Sequence, residues 1–239
     1  MSGAAPASSA RRVEDQVFSR VGGTDRLADV YLPAGEGPFP AVLFLHGGGW
    51  RFGDRRLAPD LARFFAAKGY VAVSIDYRLS DEAVFPAGVT DVATAIRWMK
   101  AHAATYHIDP TRIALVGSSA GAHLGMLAGL APEKFASDEW EDQDPRVAAI
   151  VNGYGPVDFL AADAQKAADR LPGTDPESAM RPPRMPATDP ESMESRFLGA
   201  PVSDVPDKVA AANPVTYAGG ADCPILILHG DCDAHVPPG

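Results

Sequence analysis

Cysteine is almost missing from this chain of 239 residues: only Cys223 and Cys232 occur. They flank a predicted extended segment, which would hold them further apart than a disulfide reaches. A disulfide framework is excluded on that basis, and two free thiols point to a reducing compartment. Positive charge is also scarce, with 21 Lys and Arg against 31 Asp and Glu and a net charge of −10. That balance argues against nucleic acid or an anionic membrane surface as a partner. No run approaches the roughly 18 apolar residues of a membrane span, and the opening M-S-G-A-A-P-A-S-S-A-R-R has no apolar leader core. The expectation is a cytoplasmic protein that binds neither nucleic acid nor membrane.

What is present fits one globular α/β domain: 46% hydrophobic and 22% charged residues on a length that can bury a full core. Residues 1–11, rich in Ala, Ser, Gly and Pro, are expected to be disordered, and the domain to occupy 12–239. Two β-rich runs, 13–21 and 26–32, joined by Gly22-Gly23-Thr24-Asp25, predict an edge hairpin. Short apolar runs at 41–45, 70–76, 113–116, 147–153 and 224–228 lack helical length, and read as parallel strands buried on both faces. Helical spacing at 57–68, at 89–106 and from Ala120 onward places helices between them. The result is an open, mostly parallel sheet with an antiparallel start and helices on both faces.

Three loops leave C-terminal ends of these strands. After 113–116 the chain reads G-S-S-A-G, with Ser119 at the turn from strand to helix. A serine needs a base and nearby oxyanion donors to act as a nucleophile. A tight elbow lifts its Oγ from the sheet and turns the Ala120 N–H, at a helix start, toward an acyl oxygen. After 41–45 comes His46-Gly47-Gly48-Gly49-Trp50. Three successive glycines are costly in backbone entropy, so a site there needs close approach or unusual dihedrals, as an oxyanion loop does. His46 is expected to brace that loop, and His123, one turn beyond Ser119, to be a buried structural histidine rather than a base. The third loop is His229-Gly230-Asp231-Cys232-Asp233-Ala234-His235-Val236-Pro237. Residues 159–210, with two copies of Thr-Asp-Pro-Glu-Ser at 174–178 and 188–192, differ in texture and are expected to form a lid-like insertion over the strand ends.

Five blocks in order, H-G-G-G-W, D-Y-R-L-S with F-P-A, G-S-S-A-G-A-H-L, A-N-P-V-T-Y and H-G-D-C-D-A-H-V-P, resemble the α/β-hydrolases. Among these the likeness is to the H-G-G-G carboxylesterases of the hormone-sensitive-lipase-like and feruloyl-esterase-like groups, and it covers roughly 26–237. The resemblance implies the α/β-hydrolase fold, with Ser119 as nucleophile and the N–H groups of Gly48, Gly49 and Ala120 as oxyanion hole. It also implies Asp233 as the acid that orients the base, Asp231 being left to stabilise the turn. Trp50 is read as a substrate-binding residue. No metal and no organic cofactor is implied; the partner is a small-molecule ester, of short acyl or aryl type, and homo-oligomerisation is left open.

Two departures stand out. Ser80-Asp81-Glu82 replaces the usual S-P-E, without catalytic weight. The family order is Ser, Asp, His, with the histidine tens of residues past the aspartate, and His235 is too near Asp233 to serve. The expectation is therefore a C-terminally incomplete fold, truncated before the last strand, the catalytic histidine loop and the last helix, and so near-inactive and aggregation-prone as 239 residues alone. Two alternatives remain: an amide-cleaving hydrolase (formamidase or peptidase) on the same fold, and a catalytically dead α/β-hydrolase-fold binding protein.

Overall fold

The computed structural model describes residues 10–161, 185–220, 223–231, 233 and 236. Residues 1–9 of the expected disordered N-terminus, residues 162–184 of the expected lid with the first Thr-Asp-Pro-Glu-Ser copy, Cys232 and His235 lie outside the described residues. Arg11, expected to be disordered, instead opens the first strand.

Strands β1 (Arg11–Val21) and β2 (Thr24–Leu32) form the anticipated hairpin, turning on Gly22 and Gly23 with left-handed φ. Strand β3 (Phe39–Leu45) is followed by helix α1 (Leu61–Phe64), strand β4 (Val71–Ile75), helix α2 (Ala87–Ala101), strand β5 (Ile108–Ser118) and helix α3 (Ala120–Leu130). Strand β6 (Ala149–Gly153), helices α4 (Met193–Leu198) and α5 (Pro206–Ala212) and strand β7 (Ile225–Leu228) complete the described elements. The strands form one sheet in the order β1-β2-β4-β3-β5-β6-β7. The β1–β2 and β2–β4 pairs are antiparallel and the rest parallel.

The strands separate their side chains with period two, as a sheet covered on both faces requires. On β3, Leu43 and Leu45 enter the main core with Val89, Ile96, Leu124 and Leu127 of α2 and α3. Val42 and Phe44 point to the other face, where Leu61 of α1 covers them. Helix α2 is buried along most of its length, including Asp91, Thr94 and Arg97.

Several boundaries differ from the sequence expectation. The helix expected over 57–68 is a four-residue helix and a separate 3-10 turn, Ala66–Lys68, because Asp60 starts it late and Phe65 leaves helical geometry at φ −123°. Its stop at Gly69, in the left-handed region at φ 83°, is as read. Strand β5 begins five positions before the apolar run: Phe39 N–H donates to His107 O at 2.7 Å and Phe39 pairs with Ile108, and Asp109-Pro110-Thr111-Arg112 form an irregularity before the register resumes at Ala41 and Ile113. Strand β7 was expected to be buried on both faces; Leu226, Ile227 and Leu228 are instead each more than half exposed. Among the described residues β7 pairs with β6 alone, so it stands at the sheet edge.

One consequence of the topology positions everything that follows. Leu45 pairs with Gly117, Ser118 with Gly153, and Gly153 with Leu228, so the C-terminal ends of four neighbouring parallel strands are level. Ligands of open α/β sheets bind at such an edge.

Candidate active site

The elbow is built by close packing. Helix α3 starts directly after Ser119, with its first turn drawn so near β3 that a Cβ on Gly121 would lie 2.3 Å from the carbonyl oxygens of Leu45 and His46. No side chain fits there, which is why the second glycine of G-S-S-A-G is needed. Ser119 itself sits at φ 51° and ψ −122°, a strained conformation for any residue with a Cβ. Two bonds keep it there: its N–H donates to Gly153 O at 2.8 Å and its carbonyl accepts the His123 N–H at 3.0 Å. The residue is half-buried, and its hydroxyl does not cap the helix.

The triple-glycine loop lies against this serine. The position a Gly47 Cβ would take is 3.4 Å from Ser119 Cβ. Gly48, at φ 119°, could hold no side chain, since a Cβ would meet Phe52 O at 2.1 Å. Its carbonyl accepts both the Arg51 and Phe52 N–H groups at 3.0 Å, which closes the turn with that carbonyl directed at the turn's own amides. Among the described residues the N–H groups of Gly48, Gly49 and Ala120 donate to no protein acceptor.

His46 braces the loop, as expected, and His123 is the buried structural histidine that was expected. His46 is buried and stacks on Tyr77 with centroids 4.3 Å apart; its Nδ1–H donates to Gly47 O at 2.7 Å, and Tyr77 donates to His46 O at 2.8 Å. Burial pushes the His46 pKa down, and pushes the Tyr77 phenol up. His123 is fully buried. Its Nδ1 accepts from Trp50 Nε1–H at 3.1 Å, and its Nε2–H donates to Ala212 O at 2.8 Å. Both ring nitrogens are committed in the neutral form, and burial lowers the pKa to about 4.

Trp50 departs from its expected role. At 3% exposure its indole is stacked on Phe197 (4.7 Å, 24°) and meets Phe159 edge-on at 5.6 Å. Its ring anchors the glycine loop to α3 and α4 through His123 and Phe197, and is turned into the core rather than offered to a ligand. Its carbonyl accepts from Ser80 N–H at 2.8 Å and Ser80 Oγ–H at 3.0 Å, tying down the next loop.

Asp233 lies on the loop after β7, whose last residue pairs with Gly153. Its Oδ1 accepts the Val236 N–H at 3.0 Å, its N–H donates to Gly230 O at 3.2 Å, and Oδ2 is 3.8 Å from His229 Nε2. Asp233 thus ties this turn together, and Asp231 is exposed.

Other residues at this edge were not singled out from the sequence. Met193, at the start of α4, reaches the triple-glycine loop: a Cβ on Gly49 would strike its sulfur at 2.1 Å. The second Thr-Asp-Pro-Glu-Ser copy ends in Ser192, which caps α4 by accepting Ser195 N–H at 2.9 Å. Arg55, almost fully buried, donates to Asp29 at 3.1 Å and Asp76 at 2.7 Å, and also pairs with Asp15, fixing the chain beyond the loop to β2 and the end of β4. Arg78 grips both oxygens of buried Asp91, with Nη2 to Oδ1 at 2.6 Å. These pairs give the D-Y-R-L-S block its physical content, and a carboxylate among the apolar residues Val89, Val92, Ala93 and Ala95 was the available signal for Asp91.

This sheet, its level strand ends and the strained serine between a glycine loop and a helix start define an α/β-hydrolase domain. The BD-FAE family model matches residues 28–239. The chain belongs to that family, within the carboxylesterase group of α/β-hydrolases. A probable carboxylic ester hydrolase of Mycobacterium tuberculosis, LipM, is 33% identical over 203 residues, 84% of this chain and 43% of that one. Among solved structures, a truncated form of a carbohydrate esterase from gut microbiota superposes with a TM-score of 0.77 at 25% identity, over 99% of this chain and 82% of its own. The butyrate-bound esterase Est2 of Thermogutta terrifontis gives a TM-score of 0.70 at 25% identity, over 97% and 76%. The chain spans about half the length of the curated relatives it matches. No described helix is long and apolar enough to cross a membrane.

Proposed function

We propose that the protein is a serine carboxylesterase acting on short-acyl or aryl esters through an acyl-enzyme on Ser119. Ser119 Oγ attacks the ester carbonyl carbon while a histidine outside the described residues takes its proton. Gly48, Gly49 and Ala120 N–H groups receive the oxyanion, and Asp233 orients the histidine and balances its charge. Collapse of the tetrahedral intermediate expels the alkoxide, which leaves as the alcohol with the proton the histidine carried. Water then attacks the acyl-enzyme by the same route and releases the acid, restoring the serine hydroxyl. The chain's own part is to hold a nucleophile, three donors and a carboxylate at one rim.

The observation that carries this reading is a serine in a strained conformation beside amide hydrogens that, among the described residues, no protein acceptor uses. Unsatisfied donors of that kind are costly unless something takes them in turn. The family and the esterase names of the relatives agree, and butyrate in a structural neighbour favours short acyl groups.

The test is hydrolysis by the full-length gene product of p-nitrophenyl butyrate and the matched p-nitroanilide. The ester is expected to turn over at least ~10²-fold faster, with Ser119→Ala losing ~10³-fold or more. Faster anilide cleavage would favour the amide-cleaving alternative. No turnover of either would favour a binding protein.

A further inference from the structure

We propose that Tyr154 is a specificity-determining residue of this site, its side chain forming the wall that receives the aryl or alcohol portion of an ester; this rests on Ser119 being the nucleophile. Among the described residues six non-glycines have left-handed φ: Asp15, Trp50, His107, Ser119, Trp140 and Tyr154. Trp50, Ser119 and Tyr154 follow the level ends of β3, β5 and β6, so half of this strain is gathered at one rim. The first two hold the glycine loop and the nucleophile. Tyr154, at φ 46°, has no part in either.

Its neighbours explain why the strain cannot relax. On one side Gly153 O takes the Ser119 N–H at 2.8 Å, and on the other Gly155 N–H donates to buried Asn152 Oδ1 at 2.7 Å. A Cβ on Gly155 would lie 2.7 Å from Ala122 Cβ, so the chain is pressed into α3 immediately after the tyrosine. Tyr154's own N–H donates to Leu228 O at 2.8 Å. With the backbone fixed before and after, the side chain is put out at the rim, 44% exposed. Glycine or asparagine would take this φ at less cost. A large aromatic residue there serves something other than the turn. Tyr77, by contrast, is buried and spends its hydroxyl on His46 O.

Geometry supplies the use. β5 lies between β3 and β6, so the Gly48 and Gly49 donors follow β3 on one side of Ser119 and Tyr154 follows β6 on the other, about one strand spacing (~5 Å) away. An ester whose carbonyl oxygen enters the donor pocket directs a substituent toward the β6 side, onto a ring suited to stack an aryl group and a hydroxyl suited to a polar one.

The experiment compares Tyr154→Gly, Tyr154→Asn and Tyr154→Phe in the full-length gene product. Readouts are melting temperature, the rate of fluorophosphonate labelling at Ser119, and KM for phenyl acetate against methyl acetate. Expected for the Gly and Asn variants are an equal or higher melting temperature and labelling within about threefold. The phenyl acetate KM should rise about fivefold or more while that for methyl acetate moves less than about twofold. Tyr154→Phe should retain the aryl preference. Equal KM changes for both esters would overturn the proposal while leaving the hydrolase reading intact, and so would loss of soluble protein in both the Gly and Asn variants. A parent protein that fails to label overturns the hydrolase reading and this inference with it.

Discussion

A serine at φ 51° and ψ −122° holds strain on the order of 1–3 kcal/mol that a glycine would not. Ser119→Gly should therefore melt at a higher temperature than Ser119→Ala, in calorimetry of both variants; the reverse order would mean that the elbow is unstrained. His123 makes a second prediction at a single side chain. Its pKa is lowered from 6.5 to about 4 by burial, so the unfolded chain binds a proton that the folded one refuses. The stability it contributes is complete above pH 6.5 and is lost as pH falls toward 4, about 2 kcal/mol of it between pH 7.5 and 5. His46, also lowered by burial, adds in the same direction. Denaturant titrations at the two pH values should show this loss, and His123→Gln should flatten it. A pH-independent parent would contradict the buried neutral imidazole. The tight turn at Ser119, the close-packed glycine loop, the bracing by His46 and the burial of His123 were legible in the sequence because residue type alone limits what can sit there. The left-handed φ of Tyr154 was not, since nothing in Asn152-Gly153-Tyr154-Gly155 says which residue carries it.

Strands and helices were legible wherever an apolar run was short and bounded, and misread where tertiary pairing overrode local character. Asp109-Pro110-Thr111-Arg112 looks like a turn and is carried within β5 as an irregularity between the Phe39–Ile108 and Ala41–Ile113 pairs. Residues 57–68 look like one helix and are two fragments around Phe65. The approach of α3 to β3 is the tightest fit between elements near the site. Gly121→Ala places a methyl 2.3 Å from two backbone oxygens that cannot move without parting the strand end from the helix. It should destabilise the fold by more than about 3 kcal/mol, read as a drop in denaturation midpoint or loss of soluble protein. A near-neutral result would mean the elbow is looser than described. Phe197, on α4, works at longer range by stacking on Trp50 and packing against Phe85 and Phe159. Phe197→Ala should cost about 3–5 kcal/mol and lower kcat by loosening the glycine loop, with unchanged kcat excluding that coupling.

For the molecule as a whole, the sheet has two unlike edges. The hairpin edge is polar, with charged Arg11, Arg12 and Glu14 exposed or half-exposed along β1. The β7 edge shows Leu226, Ile227 and Leu228 at 53–56% exposure. An exposed apolar edge strand is a template for pairing. These 239 residues alone should self-associate at micromolar concentration, and Ile227→Lys should suppress it in light scattering or sedimentation. A monodisperse parent would contradict the exposure of that edge. This difference between the edges was only half legible: P-I-L-I-L reads as strand, but which strand lies outermost is a property of topology.

The proposed chemistry requires Ser119 to be an activated nucleophile. The most direct measurement is mass spectrometry of the full-length gene product after reaction with a fluorophosphonate. One adduct on the peptide carrying Ser119, absent in Ser119→Ala, is the predicted result; no adduct, or one that persists in Ser119→Ala, would contradict it.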